Sequence, residues 1–314
     1  MPTADTLTIR PPTPDDAGAV TLLCNVCDIA EYGVPDGTEA DVRAQWVEPG
    51  FDITRSAWVA GAEGGALQGY AWVMERVPKS DLVADLYVHP DHIGGALGDM
   101  LLSRLEARSR ELAAEAPADV TPTLGLFNAS VNPWKRGLLE NRGFAPARTF
   151  LRMTIDLHAG FEAPRLPSGI GLRAFDPVGH AREVHAALTE AFADHYRPRR
   201  ESFEDWKARR FGPENFDPTL WLVAWEGESI AGALLGYLSP DLGWVQELGV
   251  LRAWRGRGIG LALLLESFAA FESRGQHRVS LGVDAESLTG ATRLYERAGM
   301  RVERHHDLFL KALR

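Results

Sequence analysis

Cysteine is scarce, positive charge is in short supply, and long hydrophobic runs are missing; each shortage narrows what this chain can be. The 314 residues include two cysteines, Cys24 and Cys27. Their C-x-x-C spacing lies inside the apolar run from Val20 to Ala30, which is helical in pattern and has no second ligand pair nearby. The pair therefore reads as helix packing rather than a redox or zinc centre. No stretch approaches the roughly 18 apolar residues that span a bilayer, so no membrane partner is expected. Met1 to Arg10 lacks the apolar core of about 7–15 residues found in a secretory signal, and a cytoplasmic location is the expectation. Lysine and arginine number 33 against 43 acidic residues, a formal charge of -10. That balance disfavours a nucleic-acid partner, because phosphate backbones reward clustered cations through counterion release.

What is present suits a globular protein: 45% hydrophobic and 24% charged residues over a length that exceeds one ordinary core. The chain also repeats itself. Asp85-Leu86-Tyr87-Val88, a turn to Gly98 and a helical stretch from Asp99 to Leu112 parallel Glu247-Leu248-Gly249-Val250, a turn to Gly260 and a helical stretch from Leu261 to Arg274. The offset between Val88 and Val250 is 162 residues. Leu7 to Arg10 against Gly171 to Arg173, Gly69 against Gly232, and Asn141-Arg142-Gly143-Phe144 against Arg297-Ala298-Gly299-Met300 keep nearly the same shift. One shift over the whole length implies two copies of one domain. Residues 1–158 and 170–314 are the expected copies, joined by a linker at 159–169 that contains Pro164 and Pro167 and has neither helical nor strand periodicity.

Each copy reads as a strand, two helices, several strands, a glycine-rich turn, a long helix, a strand, a helix and final strands, an α+β or mixed α/β pattern. In the second copy, strands are expected at Trp221 to Trp225, Ile230 to Leu238, Val245 to Leu251 and Arg278 to Val283. Leu261 to Ser273 is apolar on most faces and predicts a buried helix.

The chemistry concentrates where the strand Trp244 to Leu251 runs through Arg255-Gly256-Arg257-Gly258-Ile259-Gly260 into that helix. Glycines let successive backbone N–H groups point inward, and a helix N-terminus adds about half a positive charge, so the turn suits a phosphate or diphosphate. A Walker loop is excluded because no Lys-Ser or Lys-Thr follows the glycines. A dinucleotide fingerprint is excluded because Leu261 and Leu263 stand where its third glycine belongs. Glu247 sits in an otherwise apolar strand, where a carboxylate is costly unless it has a partner or a task.

Val250, Arg255, Gly258 and Gly260 resemble the V-x-P-x-x-R-x-x-G-x-G/A motif of the GNAT acyltransferase superfamily. Tyr295-Glu296-Arg297-Ala298-Gly299-Met300 resembles that family's Y-x-x-x-G-F ending. Arg252 departs from the motif's proline, and Asp284 stands where an asparagine is common. The resemblance covers both copies and implies two tandem domains, each a mixed, mostly antiparallel twisted sheet flanked by helices. It implies acetyl-CoA or another acyl-CoA as cosubstrate, with Leu248, Gly249 and Val250 against the pantetheine and thioester, and Arg255, Gly256, Arg257, Gly258, Ile259 and Gly260 around the diphosphate. Asp284 joins this expected cofactor-binding set, and no metal is expected. Acyl transfer needs a base for the amine, a donor for the oxyanion and an acid for the sulfur. Glu247, a backbone N–H near Leu248 and Tyr295 are the candidates; a core tyrosine and a simple ion pair are the bland alternatives for the two side chains.

The expected activity is transfer of an acyl group, acetyl first, to a primary amine of a small molecule by direct attack in a ternary complex. A non-catalytic acyl-CoA sensor or scaffold, and transfer from a carrier-protein thioester, stand as alternatives. His195, Tyr196, Arg197, Arg199 and Arg200 lie where such proteins cover the acceptor, but a solvated loop with charges unrelated to a ligand is the preferred reading. His89 and His92 lack a third ligand, and His305-His306 falls in the last strand. In the first copy Ile93, Ala96 and Leu139 replace Arg255, Gly258 and Tyr295, while Asp85 matches Glu247 and Gly94, Gly95 and Gly98 remain. That copy is expected to be degenerate and non-catalytic, and a monomer is expected because the tandem copies can pack on each other.

Overall fold

The structure, a computed structural model, describes residues 7–48, 50–62, 64–77, 79–157, 166–196, 201–212, 215–239, 242–287 and 290–314. The chain forms two compact units, residues 1–148 with 306–314, and residues 149–305.

The first unit contains β1 (Thr8–Arg10), α1 (Ala17–Tyr32), α2 (Glu39–Trp46), α3 (Ile53–Ser56), β2 (Ala57–Gly61), β3 (Leu67–Val77), β4 (Asp81–Val88), α4 (Leu97–Ala113), β5 (Thr123–Ala129) and α5 (Pro133–Asn141). Strand β6 (Ala145–Asp156) starts in this unit and passes at Thr149 into the second. There the chain continues with β7 (Ile170–Ala174), α6 (Ala181–Ala191), α7 (Phe203–Phe211), β8 (Trp221–Glu226), β9 (Ser229–Ser239), β10 (Leu242–Val250), α8 (Ile259–Glu272), β11 (Arg278–Asp284), α9 (Ala291–Arg297) and β12 (Arg301–Ala312). The last strand passes at His306 into the first unit.

This exchange departs from the linear division at 158 and 170. Hydrogen-bonding register decides it: residues 150–156 of β6 pair antiparallel with β11, and His306 to Ala312 pair antiparallel with β5. Of the expected linker, residues 166–169 are described and 159–165 are not.

Among the described residues each unit carries one parallel strand pair, β4 with β5 and β10 with β11, beside antiparallel pairs. Gly69 lies opposite Val88 and Gly232 opposite Val250, so the repeat holds at the level of register. In the second unit both faces of the sheet are covered. On one face Leu263, Leu264, Phe268 and Phe271 of α8 are fully buried in one cluster with Val245, Val279, Leu281 and Met153. A helix apolar on nearly every face can only be stable enclosed in this way. On the other face Val184 and Leu188 of α6 and Trp206 of α7 pack on Trp221, Val223, Leu235 and Tyr237. Ser202 starts α7 by accepting the Asp205 N–H at 3.1 Å, satisfying a donor that the helix itself cannot pair.

One irregularity sets which side chains reach which face. The β10–β9 register shifts between Val245 and Glu247, leaving Gln246 as an extra residue. In a regular strand Glu247 would follow Val245 into the α8 core. The bulge reverses the alternation. Leu248 and Val250 turn to the α8 core, and Gly249 faces Ala191 and Leu188 of α6, which places Glu247 on the α6 side.

Candidate active site

The parallel pairing of β10 and β11 ends at Val245 and Leu281, yet the strands run on to Val250 and Asp284. The β10 edge from Glu247 to Val250 therefore faces a parting with its backbone groups unpaired on that side. β11 keeps its other neighbour throughout, with Asp284 still opposite Phe150. Beyond Val250 the chain makes one short turn at Arg252–Trp254, then Gly256 at φ +75° and Gly258 at φ +86°, and α8 begins. Among the described residues no side chain caps the helix start at Gly258, so the first N–H groups of α8 are left for another acceptor. An uncapped helix start beside an open strand edge fits a diphosphate continued by a pantetheine-like arm.

Each loop arginine is paired within the protein. Arg255 donates to the Val250 carbonyl at 3.1 Å and the Ala191 carbonyl at 3.0 Å, and lies 3.4 Å from Asp194. It ties the end of α6 to the end of β10. Arg257 pairs with Glu226 at 2.6 Å, and Trp254 donates to the same carboxylate at 2.9 Å. Arg252, at the motif's proline position, pairs with Asp194. The donors left facing the turn are backbone N–H groups.

Glu247 is mostly buried, its side chain 16% exposed, and Arg210 of α7 donates through Nε, at 3.0 Å, and Nη2 to the single oxygen Oε1. His185 lies nearby, packed on Trp206 at 5.2 Å; burial lowers its pKa, and its buried Nε2 has no hydrogen-bond partner among the described residues. Tyr295 projects from α9 into the α8 core, and burial pushes its phenol up to about 12, so it is protonated at neutral pH. Asp284 accepts the Glu286 N–H at 2.9 Å and acts on His195, whose pKa burial lowers and Asp284 opposes. His195 packs on Phe192 at 4.4 Å; Arg197, Arg199 and Arg200 lie outside the described residues.

Two arginines escaped the sequence reading. Arg210 carried no motif. Arg152 belongs to the first half of the chain but, on β6, stands opposite Gly282 and over the Trp244 ring at 5.4 Å. Ser280 and Gly282 alternate with the core residues Val279, Leu281 and Val283, so Arg152, Trp244, Gly282 and Glu247 share one face of the sheet.

The first unit treats the matching positions differently. Lys135 of α5 places its ammonium 2.6 Å from Asp85, and both side chains are largely buried. Asp85 also accepts the Leu86 N–H at 2.7 Å and the Tyr87 hydroxyl at 3.1 Å. At the start of α4, Ala96 is right-handed at φ -71°, where Gly258 is left-handed. The His89 and His92 rings lie 5.8 Å apart and tilted by 59°, and no group of three or more potential metal ligands occurs among the described residues. No helix among them is long and apolar enough to cross a membrane. Cys24 and Cys27 are free thiols on α1.

A parallel pair that opens, a glycine turn with its N–H groups presented and a buried helix behind it make up the candidate site. Residues 182–300 match the sequence profile of the acetyltransferase (GNAT) family. The chain is 34% identical over 300 residues to the mycothiol acetyltransferase of Thermobispora bispora, covering 91% of this chain and 93% of that one. This protein belongs to the GNAT acetyltransferase family. Among solved structures it is similar to a GCN5-related N-acetyltransferase from Sphaerobacter thermophilus, with a TM-score of 0.86 and 37% identity over 98% of this chain and 96% of that one. It also shares the fold of a tandem GNAT protein from the clavulanic acid biosynthesis pathway, with a TM-score of 0.75 and 14% identity over 98% and 99% of the two chains.

Proposed function

We propose that the second unit transfers an acyl group, acetyl first, from acyl-CoA to a primary amine of a small molecule in a ternary complex. The observation that carries this reading is the parting of β10 from β11 immediately before the uncapped start of α8, with Glu247 turned by the bulge onto the face away from the α8 core. Backbone groups of Leu248, Gly249 and Val250 line the thioester arm. The N–H groups from Arg255 to Gly260 hold the diphosphate, with Arg255 fixing the turn from behind. Glu247 takes the proton of the acceptor amine, directly or through water, and a backbone N–H near Leu248 receives the charge that develops on the carbonyl oxygen. Tyr295, kept protonated by burial, returns a proton to the departing sulfur. Asp284 closes the far end of β11 beside His195.

The first unit has a supporting role without catalysis. Its Asp85 is taken by Lys135, and the Leu86 N–H, counterpart of the proposed oxyanion donor, is taken by Asp85 itself. A mycothiol-type amine is the first acceptor to test, because relatives over nine-tenths of the chain carry that name. A cytoplasmic monomer without nucleic-acid or membrane partners completes the reading. Thiol release from acetyl-CoA, followed over a panel of small-molecule primary amines, tests it. Turnover with one of them is the expected outcome. Acetyl-CoA binding without turnover of any amine points to a sensor, and turnover restricted to an acylated carrier protein points to the other donor.

A further inference from the structure

The geometry points to Arg210 as the positioning residue of this site: we propose that it holds Glu247 by one oxygen so that the other is presented to the acceptor amine. The inference rests on Glu247 acting as the base.

Arg210 is anchored at both ends. Its carbonyl accepts the Tyr237 hydroxyl of β9 at 2.8 Å, and its guanidinium meets Glu247 of β10. Trp206 and Phe211 of the same helix lie in the aromatic cluster around Trp221, so α7 has little freedom to slide. Two N–H groups converge on Oε1, while Oε2 has no hydrogen bond among the described residues. Two nitrogens of one planar guanidinium converging on a single carboxylate oxygen hold that oxygen in place and leave the other unengaged, which a flexible ammonium does less well. A buried ion pair is weak evidence for a stabilising role, because desolvation offsets most of the attraction. His185, packed on the same helix, is held below its ordinary pKa by burial and brings no competing charge at neutral pH.

The surroundings of the free oxygen agree. Gly282 is the first β11 residue beyond the last β10–β11 pair, lies on the Glu247 face, and is exposed although it sits inside a strand. A Cβ there would meet nothing within 4 Å. Space for an acceptor therefore exists beside the parting, on the face that carries Glu247.

The test compares Arg210→Gln, Arg210→Lys and Glu247→Gln in steady-state thiol release with acetyl-CoA and the amine of the panel that turns over fastest, with acetyl-CoA affinity measured by calorimetry. Arg210→Gln should lower kcat by about ten- to a hundred-fold, the loss expected of a base displaced by on the order of 1 Å, with acetyl-CoA affinity within about two-fold. Arg210→Lys should recover part of that loss, and millimolar guanidinium should raise the kcat of Arg210→Ala but not of the wild type. If Arg210→Gln does not fold, Arg210→Met, which keeps the packing of the stem, replaces it. A folded variant with unchanged kcat, set beside a collapsed Glu247→Gln, overturns the role of Arg210 and leaves the base in place. Unchanged kcat in Glu247→Gln removes both.

Discussion

Gly258→Ala should weaken acetyl-CoA binding although it fills no space. The residue precedes α8 at φ +86° and ψ 1°, and an added Cβ would meet nothing within 4 Å. Its cost is backbone strain alone, about 1–2 kcal/mol for an L-residue held in the left-handed region. The variant has two responses available. It can keep the turn and bear the strain, or relax as the first unit has done, where Ala96 begins α4 at φ -71° and ψ -15°. Relaxation changes the directions of the N–H groups on which the diphosphate depends. If the ligand must restore the left-handed turn, binding loses the same 1–2 kcal/mol, or roughly 5- to 30-fold in Kd. Calorimetric titration of acetyl-CoA reads this directly, and circular dichroism shows whether the fold persists. Ala96→Gly is the reciprocal control and should leave the affinity unchanged. An unaltered Kd in a folded Gly258→Ala that also keeps wild-type stability, and so has relaxed the turn without strain, would refute the backbone cradle.

The other expectations are separable. Tyr295→Phe should lower kcat by on the order of 10²-fold with little change in acetyl-CoA affinity, and undiminished turnover would remove the proton-donor role. Lys135→Met leaves the Asp85 carboxylate largely buried and uncompensated, so denaturant unfolding should show a loss of about 3–5 kcal/mol while a folded preparation keeps its kcat; lost transfer activity at intact stability would place the first unit in the chemistry. His185 and His195 have pKa values lowered by burial, so the unfolded chain binds more protons than the folded one as pH falls below about 6.5. Stability should fall from pH 7 towards pH 5, and less steeply in His185→Phe; a pH-independent difference between wild type and variant would contradict this.

Much of the fold was legible because repetition survives in sequence. The 162-residue offset aligned the two opening strands, and the structure places Gly69 and Gly232 at matching registers opposite Val88 and Val250. The apolar α8 and the α1 run that buries Cys27 also followed from pattern. The strand exchange did not, because a linear offset cannot say which sheet a terminal strand joins. Residues 149–156 and 306–312 are the final strands of their copies in sequence, yet each pairs within the other unit. That is why Arg152 was invisible as a neighbour of Trp244 and Gly282. The site was half legible for a similar reason. Glu247, Tyr295 and the glycines are local signals, but the bulge at Gln246 that turns Glu247 out of the core is a property of pairing. The motif marks Arg255 and Arg257 but not their protein partners, because only folding brings Asp194, Ala191 and Glu226 within their reach.

The central claim is that one thioester cofactor binds this chain, at the start of α8. A crystal structure determined after soaking in acetyl-CoA tests it most directly. The diphosphate should lie against the N–H groups between Arg255 and Gly260, with the pantetheine arm along Glu247 to Val250 and no ligand at Ile93 to Gly98. A diphosphate bound instead at the start of α4, or a β10–β11 parting that stays empty at saturating acetyl-CoA, would contradict it.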